Sequence, residues 1–116
     1  MNEANRELYL KSLQKWGKVL QVNMAVEEMA ELTFALMKEL RTSNEERRSN
    51  WGAIKRAILD EIVDVSILLE QLRVIYFISD AEYEQWRKQK LARLRERLID
   101  AEESNEDDEE FEEEEF

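Results

Sequence analysis

Not one proline falls within these 116 residues, and only two glycines do. A chain so poor in turn formers has few places to reverse, which disfavours sandwiches and barrels and favours long helices. Its apolar residues recur at helical spacing. Over residues 5–16, Leu8, Leu13 and Trp16 share a stripe, with Leu10 off it. Gly17 should then loosen or break that helix. From 18 to 41 a long helix is expected, with Val22, Val26, Met29, Leu32 or Thr33, Leu36 and Leu40 as its apolar face. Residues 42–52, TSNEERRSNWG, read as a polar loop. Ser43 and Glu46 in it have capping-box spacing, so a short helical turn fits there. A second long helix should run over 53–78. Its middle is apolar on nearly every side except at Asp60, Glu61, Asp64 and Ser66, the pattern of a helix central in its bundle. Ser79, with Glu82 three residues on, opens a last helix from 81 to about 98 that carries Trp86, Leu91, Leu94 and Leu98. The expected fold is all-α: an antiparallel helical bundle of four to five helices, with two long central helices.

The formal net charge of −11 is unevenly spread. Residues 100–116 hold 12 of the 28 acids and no base, which leaves 16 acids against 17 bases in the rest of the chain. The expected organisation is therefore a folded domain over 1–99 and an acidic, disordered tail over 100–116. The near-neutral body lacks the basic excess of a nucleic-acid binder, so no direct nucleic-acid binding is expected. The N-terminus lacks a basic segment followed by an apolar one, so no signal peptide is read there. The longest apolar stretch, VSILLEQLRVIYFI, is short and broken by Glu70 and Arg73, so no membrane span and a cytoplasmic location are expected. There is no Cys and no His. Disulfides, zinc-finger spacings and Ser-His or Cys-His nucleophiles are excluded, and two glycines are too few for a Gly-rich phosphate loop.

The chemistry lies in two carboxylate pairs, Glu28 with Glu31 and Glu61 with Asp64. Each is spaced i, i+3, so both acids of a pair project from one helix face. Both pairs lie in apolar sequence, where a carboxylate is costly unless something pairs with it. With no His or Cys available, the fitting partner is a hard divalent cation held by oxygen. The pairs are also centred on the loop: their midpoints, 29.5 and 62.5, average to 46. An antiparallel hairpin turning there has roughly 15 Å of helix from Glu31 to Arg41 and roughly 12 Å from Ala53 to Glu61, which sets the pairs at one height. Without a cation, facing carboxylates repel and some take up protons. Lys38 extends the stripe 28, 31, 35, 38 and is placed to meet a phosphate or to face solvent. Glu27 and Asp60 lie i, i+4 from Glu31 and Asp64. They back up the ligands, hold a water, or face solvent.

These residues resemble the MazG-like and dimeric dUTPase group of all-α nucleoside triphosphate pyrophosphohydrolases. The family pattern is ExxE, a variable spacer, then ExxD, on adjacent helices. Here it reads Glu28-Met-Ala-Glu31, 29 residues, then Glu61-Ile-Val-Asp64. The spacer lies at or slightly beyond the long end of that pattern. The flanks QVNMAVEEMAEL and AILDEIVDVSILLEQL are similar to short phage-type members, and the resemblance spans roughly residues 13–98. It implies cleavage of (d)NTP between the α- and β-phosphates to (d)NMP and pyrophosphate, with Mg²⁺ as cofactor and Mn²⁺ as a substitute. It further implies a homodimer or dimer of dimers whose second subunit helps complete the pocket, in the host cytoplasm if the gene is carried by a phage. Glu28, Glu31, Glu61 and Asp64 become the metal ligands. Glu31 and Glu61 are assigned to catalysis, Glu31 as the general base. Lys90 and Arg93 match a K-x-x-R feature of similar proteins and are assigned to phosphate. Gln21 and Trp16 belong to a region that approaches the nucleobase, although a large aromatic such as Trp16 most simply packs in the core.

Two other readings stand beside this one. The first is a non-catalytic helical protein whose acidic tail binds basic surfaces. The second keeps the enzyme with a narrow preference for dUTP or dCTP.

Overall fold

The computed structural model describes residues 1–104, and among them the fold is all-α. Four helices follow in order: α1, Glu3–Leu40; α2, Asn44–Ser49; α3, Trp51–Ile75; and α4, Asp80–Ser104. They fall into two units, Met1–Ser79 and Asp80 onward. No helix among the described residues is long and apolar enough to cross a membrane.

In the first unit α1 and α3 are the two long arms of an antiparallel hairpin, turned by α2. Asn2 caps α1, its side-chain oxygen accepting from the Asn5 amide at 2.8 Å. The expected break is present: Gly17 has φ 82° and ψ 163° in the middle of α1. That conformation is open to glycine and strained for any residue with a Cβ. Its consequence is visible in Tyr9, which is buried and donates its hydroxyl to Glu70 Oε1 at 2.6 Å. In an unbroken α1, Tyr9 would lie beyond the end of α3. The bend brings it back against that helix.

The turn was legible at its caps. The Ser43 hydroxyl accepts from the Glu46 amide at 3.1 Å and starts α2. Arg47 ties α2 to the end of α1. Its Nε meets Glu39 Oε1 at 2.8 Å, and its Nη2 donates to the carbonyls of Glu39 at 3.0 Å and Thr42 at 3.3 Å. α3 stops at Ile75, short of the expected Ile78, because Phe77 takes a left-handed φ of 56°. Phe77 N–H then donates to Val74 O and Ile78 N–H to Arg73 O, which closes the helix as a Schellman motif.

Of the apolar face expected on α1, Leu32 lies in the row that packs on α3 and Val22 is half-buried, while the rest is exposed. The inward row is Gln21, Ala25, Glu28, Leu32, Ala35 and Glu39, all buried or half-buried. Val26 is 56 % exposed, Leu40 65 %, and Met29 and Leu36 are exposed with them. Across the hairpin Val65, Leu68, Val74 and Ile75 form the buried row of α3. Periodicity finds a stripe, and which partner covers it is decided by the tertiary packing. Trp16, expected in the core, is half exposed beside the Gly17 break.

α4 starts at Asp80 and runs to Ser104, past the expected end near residue 98. None of its residues is buried. The rest of the expected acidic tail, 105–116, lies outside the described residues.

Candidate metal centre

The hairpin brings both acid pairs to one level. Glu28 and Glu61 sit in the inward rows, where an apolar residue would ordinarily pack. Glu28, Glu31 and Glu61 each offer a carboxylate oxygen, all within 4.8 Å of one another. Asp60, Glu61 and Asp64 do the same. Glu61 belongs to both groups, so the five acids form two overlapping triplets rather than one square of four. Asp60, which spacing alone left between a supporting and a solvent-facing role, is a full member of the second triplet.

Glu28, Glu61 and Asp64 are half-buried, while Glu31 and Asp60 are exposed. One oxygen each of Glu28 and Glu61, the Oε2 atoms, is sealed from solvent without a hydrogen-bond partner. Buried polar atoms are normally paired, so two orphaned carboxylate oxygens in one cluster need a partner. The electrostatics agree. The Glu28 carboxyl is pushed up to about 7, first by desolvation and then by the charge and hydrogen bonding of Glu31, with Asp64 and Glu61 adding to it. Glu61 is raised as well, by desolvation first and then by Glu31, Asp64 and Asp60, while a hydrogen bond with Glu28 opposes the rise. These are carboxylates short of positive charge.

Hard divalent cations take oxygen ligands of this kind, so the donor set fits Mg²⁺ or Mn²⁺. Glu28, Glu31 and Glu61 would hold such an ion, with Asp64 and Asp60 completing the second triplet.

Beside the acids, one turn toward α2, a hollow of about 450 Å³ opens between the arms. Ala35, Ala53 and Ala57 leave the space, and Ile54 and Ile58 line it with them. Lys38, Glu39, Thr42, Glu46 and Asn50 supply its polar edge. Lys38 therefore lies where its stripe put it, two turns beyond Glu31, and lines the hollow. The hollow itself went unread in the sequence. Its signal was three alanines at facing levels of the two arms.

The other assigned residues are more scattered. Gln21 is only 3 % exposed, two turns before Glu28 on the same inward row. Trp16 lies before the Gly17 break. Lys90 and Arg93 are exposed one turn apart on α4, in the second unit.

No protein-family model, curated protein or solved structure matches the chain.

Proposed function

We propose that this protein is a divalent-metal-dependent nucleoside triphosphate pyrophosphohydrolase, cleaving (d)NTP and water to (d)NMP and pyrophosphate. The observation that carries the reading is the meeting of Glu28, Glu31, Glu61 and Asp64 at one level of a helical hairpin, with two buried carboxylate oxygens left unpartnered. The adjoining hollow falls in the size range of small-molecule sites, roughly 300–1,000 Å³. Resemblance to the MazG-like group supplies the reaction.

Mg²⁺ bound by these acids would neutralise charge on the phosphoryl oxygens and acidify a water. The protein's own groups do the rest. Glu31, the exposed member of its triplet, accepts the proton of the water that attacks the α-phosphorus as the α–β anhydride bond breaks. Half-buried Glu28 and Glu61 hold their positions in the inward rows and keep the reacting end of the site away from bulk water. Lys38, on the rim of the hollow, meets the negative charge of the leaving pyrophosphate.

A pyrophosphate-release screen over canonical and modified (d)NTPs, with and without Mg²⁺, tests the reading. Turnover should require the metal. Glu61→Gln, which keeps shape and removes charge from both triplets, should lower kcat by about 100-fold or more. Absence of hydrolysis across the panel, or a Glu61→Gln protein as active as the parent, rejects it.

A further inference from the structure

We propose that residues 105–116 fold back along α4 and occupy its apolar, base-lined stripe, as a built-in polyanion that closes a basic surface. Charge along α4 is sorted into blocks. Arg87, Lys88, Lys90, Arg93, Arg95 and Arg97 lie within eleven residues that hold one acid, Glu96. Asp100, Glu102 and Glu103 follow, and the last turn has no base. Acids there oppose the helix dipole, which favours cations at a C-terminus. None of the six bases forms an ion pair with a described residue.

The bases frame an apolar stripe. At about 100° of rotation per residue, Tyr83, Leu91, Leu94 and Leu98 share roughly 80° of the helix surface. Lys90, Arg93 and Arg97 run along one border with Trp86, and Lys88 and Arg95 along the other. Trp86, Leu94 and Leu98 are each more than half exposed. A stripe of this kind fits an occupant that is both acidic and apolar.

The sequence that follows α4 has that character. Residues 105–116, NEDDEEFEEEEF, carry nine acids, no base and two phenylalanines. Tethered at Ser104, they stay beside the bases at an effective concentration on the order of millimolar. Asn105 is a residue type that readily turns a chain after a helix. Extended at about 3.3 Å per residue against about 1.5 Å for a helix, a returning chain passes about two residues of α4 for each of its own. With about two residues spent on the turn, Phe111 comes level with Leu94, and Phe116 lies between Tyr83 and Trp86. Glu112, Glu113, Glu114 and Glu115 then run past the bases from Arg93 to Arg87. The acids before Phe111 pass the acidic end of α4, so the hold lies in residues 111–116. An external polyanion must displace them to reach the basic face. Both partners belong to the second unit, and the inference does not depend on the reaction proposed above.

A nitroxide spin label tests it, since the chain has no cysteine of its own to compete for the label. Carried by the full-length Glu113→Cys variant, the label should broaden the amide signals of residues 86–94 at low salt and release them at 0.5 M salt. Broadening centred beside Ser104 means that the segment stays free, and broadening in α1 or α3 means that it lies on the hairpin; either overturns the proposal. So does broadening of residues 86–94 that is seen only between copies, in a mixture of spin-labelled variant and isotope-labelled parent. Heparin supplies a second readout. Phe111→Ser combined with Phe116→Ser keeps every charge, so a segment that was already free repels heparin as before. If the phenylalanines hold the segment down, the double variant should bind heparin about threefold or more tightly than the parent at low salt. Equal affinity overturns the proposal.

Discussion

Glu28 occupies a place where a small apolar side chain would pack, and its ionisation records the misfit. Its carboxyl titrates near 7 in the folded chain, against an ordinary value of 4.5. The folded state therefore holds this proton more tightly than the unfolded state does. The resulting stability is complete below about pH 4.5 and disappears as pH rises through about 7. Glu61 acts in the same direction. In EDTA the melting temperature should fall between pH 5 and pH 8. Millimolar Mg²⁺ should shrink that fall, because a cation takes over the role of the proton. Equal melting curves at both pH values, with and without metal, would contradict it. The acid positions were legible because carboxylates at i, i+3 in apolar sequence announce their own cost. Asp60 was not, because an exposed acid at i, i+4 has the same spacing whether it serves a site or faces solvent.

At the scale of the element, the two glycines make opposite statements. Gly17 holds a left-handed, extended conformation on which the return of Tyr9 to Glu70 depends. Gly52 lies in the first turn of α3 with ordinary helical geometry and open space around it. Gly17→Ala should destabilise by about 1–3 kcal/mol. Gly52→Ala should stabilise by about 0.5–1 kcal/mol. Urea denaturation of the two variants beside the parent checks both signs. The Gly17 break and the Ser43 cap were readable because each uses a residue type with one dominant local habit. Phe77 was not: a left-handed phenylalanine, 91 % exposed, carries no mark in sequence, so the end of α3 was expected three residues late. α4 outran its expected end because the alanine and glutamates of AEES are good helix formers despite their charge.

For the whole molecule, the uneven charge carries a prediction. The described chain ends its helix at Ser104, and nine of the twelve C-terminal acids follow it. A polyanionic substrate approaching near those charges is repelled over about 10 Å at 0.1 M salt. Removing residues 105–116 should leave kcat within about twofold and lower KM at low ionic strength. The difference should vanish at 0.5 M salt. Loss of turnover on truncation would contradict this, since the tail would then serve the reaction itself. At this scale the all-α class and the hairpin were legible from composition and from the centring of the acids on the turn. The outward direction of the apolar face of α1 was not, since periodicity carries no record of which surface is hidden. The two arms also set a rule for how such a chain can change length. Nine residues of α1 follow Glu31, and ten of α3 precede Glu61. One residue gained or lost within an arm swings an acid pair by about 100° and moves it about 1.5 Å. A residue gained between Arg41 and Asn50 leaves both pairs where they are. Insertions and deletions can therefore drift in and out of the turn while the arms stay fixed in count, and a 29-residue spacer is compatible with an intact cluster.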